Sequence, residues 1–97
     1  MPSRDYAISE YDFSMTPVRQ ALGLTVDESR WYVVIDKRWK FIAFTADQLR
    51  PILLDMKNDP EEYNDLGGSD SAEHLQVMAL METRLQQWQQ RLSLIHI

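Results

Sequence analysis

The sequence predicts an α+β fold: a small antiparallel sheet, built from an N-terminal strand, a hairpin and a further strand, packed by a long C-terminal helix. Three observations predict it. Residues 31–36 and 39–44 are rich in β-branched and aromatic side chains and flank a polar tip, Asp36-Lys37-Arg38. Residues 72–91 carry apolar side chains at helical spacings of three, four and seven. The chain has 97 residues, enough for one small domain and no more.

The elements follow in order. Residues 6–13 have strand character, with Tyr6 and Ile8 facing the core. Thr16-Pro17 makes an N-cap and first helical position for a short helix through Leu22, stopped by Gly23. With a two-residue hairpin loop, Tyr32, Val34, Phe41 and Ala43 share one face, and Trp31, Val33, Ile42 and Phe44 the other. A three-residue loop changes the pairing and still leaves apolar groups on both faces. Residues 52–55 supply a further strand. Asp59-Pro60-Glu61-Glu62 reads as a helix start, with Asp59 capping, Pro60 in the first position and Glu62 placed for a reciprocal bond. Gly67-Gly68 breaks the chain, and Asp70 or Ser71 caps the long helix. Its stripe is Leu75, Met78, Leu85, Trp88 and Leu92, widened by Val77 and Met81, with Gln86, Gln87, Gln89 and Gln90 toward solvent. A hairpin apolar on both sides wants cover on both. The long helix supplies one cover, and no second cover is visible in the sequence.

Composition narrows the classes. Hydrophobic content of 44% with 26% charged residues is globular rather than disordered. A net charge of -5 and a pI near 4.8 oppose a nucleic-acid partner. No apolar run approaches a membrane span, so no membrane association is expected. Absence of Cys excludes disulfides and thiolate metal sites and is compatible with a cytoplasmic or a periplasmic setting.

Each chemical constellation has a bland explanation beside it. Arg30, Lys37, Arg38 and Lys40 interleave with Trp31, Tyr32, Trp39 and Phe41 as in a single-strand nucleic-acid platform, but the same alternation suits a hairpin with a basic tip. Asp55, Asp59, Glu61, Glu62 and Asp65 fail as an EF-hand loop, because Lys57 and Pro60 stand where an oxygen donor and a Gly are needed. His74 has no second His at ligand spacing. No Walker loop, G-x-S-x-G or G-x-G-x-x-G is present. The expectation is therefore no catalytic, cofactor-binding or metal-binding residue in the chain.

Leu92-Ser93-Leu94-Ile95-His96-Ile97 is what one frame of a common transposon sequencing adapter encodes. Residues 93–97 are accordingly expected to be a non-native tail, the alternative being a natural hydrophobic terminus.

Trp39-Lys40-Phe41-Ile42, followed by residues 51–66 (PILLDMKNDPEEYNDL), resembles the closing segment of sulfatases and phosphonate monoester hydrolases of the alkaline phosphatase superfamily, roughly K-Y-I … P-x-L-F-D-L-x-x-D-P-x-E-x-x-N-L. Arg4, Asp5, Ser9, Glu10, Tyr11 and Asp12 match a second stretch, R-D-x-x-x-S-E-Y-D, which leans toward the phosphonate monoester hydrolase branch. Departures are Leu54 for Phe, Met56 for Leu, and Asp65 before Leu66. The resemblance implies that residues 1–92 are the C-terminal subdomain of a several-fold longer hydrolase of sulfate or phosphonate/phosphate esters. It also implies a parent with a formylglycine nucleophile and a divalent metal ion, an N-terminal catalytic domain as partner, and a homo-oligomer as a further association. The nucleophile arises from Cys or Ser in Cys/Ser-x-Pro-x-Arg. Here Met15-Thr16-Pro17-Val18-Arg19 reproduces the Pro and Arg offsets, but the Met15 thioether cannot become an aldehyde hydrate. The rival from another class is a free-standing acidic module that binds a protein partner through its exposed hairpin face.

Overall fold

The structure, a computed structural model, describes residues 6–12, 15–25 and 28–95, with side chains 18 and 93–95 left aside. Along the chain run β1 (Tyr6–Asp12), α1 (Pro17–Leu22), β2 (Arg30–Asp36), β3 (Trp39–Phe44), β4 (Ile52–Asp55) and α2 (Ala72–Ile95). The strands form one antiparallel sheet in the order β1-β2-β3-β4, with α2 against one face, the α+β arrangement the sequence predicts.

Local chemistry explains most boundaries. Gly23 closes α1 in the left-handed region at φ 68°. Its N–H bonds the Gln20 carbonyl at 3.1 Å and the Leu24 N–H bonds that of Arg19 at 3.0 Å, a Schellman closure. The hairpin register runs from Trp31↔Phe44 to Ile35↔Lys40, leaving Lys37-Arg38 as a two-residue loop. Such loops usually need positive φ. Among the described non-glycine residues only Glu62 has it, at φ 60°. The Asp36 carboxylate shapes the turn instead, accepting the Arg38 N–H at 2.9 Å and the Trp39 N–H at 2.7 Å. Arg84 of α2 donates to the same carboxylate at 3.1 Å and lies over the Tyr6 ring, tying the tip to the helix.

Beyond β4, the chain folds back along the sheet edge. The Leu66 N–H bonds the Leu53 carbonyl at 2.7 Å, and Asp65 accepts the Leu53 N–H at 3.1 Å and the Gly67 N–H at 2.7 Å. A Cβ at Gly67 would collide with the Pro51 carbonyl, so this return requires glycine.

The core lies between sheet and helix: Val34, Trp39, Phe41 and Leu53 meet Met81 and Leu85, ringed by Tyr6, Ile8, Tyr32, Ala43, Leu66, Val77, Met78 and Trp88.

Three expectations change. The segment Asp59-Pro60-Glu61-Glu62 forms a turn, not a helix start. Asp59 does cap, accepting the Tyr63 and Asn64 N–H groups at 3.2 and 2.8 Å, but Glu62 in the left-handed region ends any helix before it begins. Glu62 turns its carboxylate to Lys40 at 3.0 Å rather than back to the turn. The long helix runs to Ile95, past the expected end at Arg91. Its buried stripe centres on Met81, fully buried, while Leu75 is 51% exposed. At 3.6 residues per turn Leu75 sits about 120° around the helix from Met81, outside a stripe that Val77, Leu85 and Trp88 share. Met81→Ala should therefore cost about 2–5 kcal/mol in urea unfolding, against less than about 1 kcal/mol for Leu75→Ala. Equal losses would place the core elsewhere.

Candidate functional site

The structure disperses the charged candidates. Arg30 is 3.9 Å from Glu10 and from Asp12, Arg38 pairs with Asp55 and Glu73, and Lys40 pairs with Glu62. Tyr32, Trp39 and Phe41 turn toward α2, whereas Trp31 and Lys40 lie on the opposite face by the strand register, so the basic and aromatic residues share no platform. Met15 is 95% exposed at the surface turn before α1, and Arg19 reaches the Leu24 carbonyl at 3.5 Å. His74 shares a 2.7 Å hydrogen bond with Ser69 and meets the Trp39 ring edge-on.

The carboxylates between 55 and 65 likewise take separate tasks. Asp55, 6% exposed at the end of β4, receives Arg38 through Nε at 3.2 Å and Nη2 at 3.0 Å. It also accepts the Lys57 and Asn58 N–H groups and the Asn58 amide. The Arg38 guanidinium, helped by Asn58, holds the Asp55 carboxyl well below the usual carboxylate range against the opposing effect of burial. Arg38 is raised in turn by the same partner, and its guanidinium stacks over Trp39 at 4.5 Å. This clamp escapes sequence reading, because nothing local links a hairpin-tip Arg to a carboxylate 17 residues on. Asp65 works at the sheet edge, with Arg50 at 3.4 Å. Among the described residues no group of three or more His, Asp or Glu is placed to share a metal ion, and the oxygens of Asp55 are already engaged. These residues do not fit a metal site.

What remains is the sheet face away from α2. Strand register aligns three rows across it: Tyr11, Trp31 and Phe44; Ser9, Val33, Ile42 and Ile52; Ala7, Ile35, Lys40 and Leu54. The first row is a ladder of rings, with Tyr11 and Trp31 centroids 5.2 Å apart and Trp31 and Phe44 stacked at 6.1 Å. Toward β3 and β4 the face is closed, with Ile42 and Leu54 buried. Toward β1 and β2 it is open: Tyr11 is 48% exposed, Trp31, Val33 and Ile35 are half-buried, and these side chains line a shallow hollow. The charge of Lys40 is answered by Glu62. Such a surface supports docking rather than bond-breaking, and it is the apolar patch that two-sided hairpin hydrophobicity predicts. The sequence did not single out Tyr11 as part of it, although alternation along β1 places it beside Trp31.

Among the described residues no helix is long and apolar enough to cross a membrane. No protein-family profile matches the chain, and no curated protein matches it by sequence. Solved structures do. The phosphonate monoester hydrolase of Agrobacterium radiobacter superposes with a TM-score of 0.78 at 25% identity, over 91% of this chain and 17% of that one. The phosphonate monoester hydrolase of Silicibacter pomeroyi superposes with a TM-score of 0.75 at 25% identity, over 94% and 18%. The chain thus resembles, over nearly all of its own length, about a sixth of a phosphonate monoester hydrolase.

Proposed function

We propose that the chain is the C-terminal structural subdomain of a larger sulfatase-like hydrolase of phosphonate, phosphate or sulfate esters, and that it supplies scaffold rather than chemistry. The supporting observation is the superposition of nine-tenths of the chain on one-sixth of two phosphonate monoester hydrolases. The motif resemblance in residues 39–66 argues for the C-terminal end of such an enzyme. Under this reading residues 1–92 belong to the subdomain and 93–97 are an adapter-encoded tail. The catalytic domain, with its formylglycine and divalent metal, belongs to the rest of the parent, and a homo-oligomer would form at that level.

Catalysis of this kind needs an activated nucleophile and a metal to offset charge on the transferring group. Met15 stands at the nucleophile offset, and no set of His, Asp and Glu among the described residues fits the metal. The purified chain with added divalent metal should therefore leave fluorogenic phosphonate and sulfate esters unhydrolysed above buffer. Turnover that survives Met15→Ala would place chemistry in residues assigned here to structure. The reading itself is tested in the source DNA. Coding sequence upstream of Met1 should continue in frame into a Cys/Ser-x-Pro-x-Arg enzyme. A promoter and genuine start there would favour the second reading, a free-standing interaction module, for which the open apolar face speaks.

A further inference from the structure

We propose that the open β1–β2 side of the helix-free face, built around Tyr11, Trp31, Val33, Ile35 and Phe44, seats this subdomain on the remainder of the hydrolase chain. The proposal rests on the reading of the chain as part of a longer enzyme. Three observations carry it. The matched enzymes are about six times as long as the matched segment, so a partner of ample size is at hand. The rest of both faces and the β4 edge are closed: α2 covers the opposite face, Ile42 and Leu54 are buried toward β4, and Asp65 and Leu66 fill the β4 edge, which leaves the β1–β2 side open. The five side chains carry no charge and the neighbouring Lys40 is paired, so the occupant needs an apolar surface without a compensating charge.

Covering the face would complete a three-layer arrangement with the sheet in the middle. It would bury a Tyr-Trp-Phe ladder of the kind that dominates interface energetics, within contact areas ordinary for domains of one chain. A carboxylate introduced there would be solvated in the isolated chain and stranded in the assembled one.

That contrast is the test. Tyr11→Glu and Val33→Glu are made in the 97-residue chain and in the full chain obtained by restoring the in-frame upstream sequence, with Leu80→Glu, on the exposed side of α2, as control. Tyr11 is the milder site, in case Val33→Glu disturbs the sheet itself. The isolated chain should melt within about 3 °C of its parent, whereas the full chain should melt at least about 6 °C lower and become protease-sensitive where the subdomain joins. Leu80→Glu should move neither. Equal shifts in both settings would overturn the assignment of the face and leave the longer-enzyme reading standing. So would a dimer of the isolated chain that either substitution dissolves, since the occupant would then be a second copy. An upstream sequence without a hydrolase removes that reading and this proposal with it.

Discussion

Replacing Phe41 by Ala should lower the unfolding free energy by about 3–5 kcal/mol, the largest loss expected from truncating one side chain here. Phe41 is 1% exposed and pairs with Val34 in β2 and Leu53 in β4, both fully buried. Above these three lie Met81 and Leu85, so the ring sits where sheet meets helix. A cavity there cannot be closed by one neighbour moving, because three strands and α2 would have to shift together. Total stability of a domain this size is on the order of 5–15 kcal/mol, and a sheet packed on one face belongs at the lower end. Urea unfolding followed by circular dichroism reads the change. A loss below about 1 kcal/mol would mean that the core is held somewhere other than the β3–α2 contact.

Breaking the Arg38–Asp55 clamp should also destabilise the fold, and acid should reproduce the loss. Removing one partner of an ion pair leaves the other charge uncompensated. The Arg38 side chain is 36% exposed against 9% for Asp55, so solvent screens the pair, and Arg38→Ala should lower stability measurably but by less than Phe41→Ala. The pH dependence follows from the lowered carboxyl of Asp55. A group with a depressed folded-state pKa contributes stability that is complete above its unfolded value, about 4, and is lost as pH falls below it. Unfolding free energy should therefore drop more steeply below about pH 4 in the parent than in Asp55→Asn. Identical acid limbs in the two proteins would show that the clamp contributes nothing.

Much of this architecture is legible from local chemistry alone. The hairpin follows from two apolar runs around a polar tip, although its register stays open between two loop lengths until the structure selects the two-residue one; α1 follows from Thr16-Pro17 and Gly23, and the existence of α2 from its apolar spacing. The misreadings occur where a local signal competes with something remote. Asp59-Pro60 carries a helix-start signature, yet Glu62 leaves helical space and pairs with Lys40, 22 residues earlier. Leu75 fits a helical repeat, yet the side of the helix that meets the sheet is the one holding Val77, Met81, Leu85 and Trp88, which leaves Leu75 off to one side. The open face was foreseeable from alternation in residues 31–44. Its closure toward β4 was not, because that depends on how the following loop returns.

Sheet order has a kinetic consequence. Every strand pairs with its neighbour in sequence, β1 with β2, β2 with β3 and β3 with β4. The entropic cost of loop closure is smallest for the two-residue tip and the seven-residue 45–51 connection, and rises only for residues 13–29. Such a meander can zip outward from the Lys37-Arg38 turn, one short closure at a time, and pairing between sequence neighbours favours rapid folding. The four described strands pair with one another within this stretch of chain. Under the proposed reading, assembly with the rest of the enzyme is a late event that follows formation of this sheet.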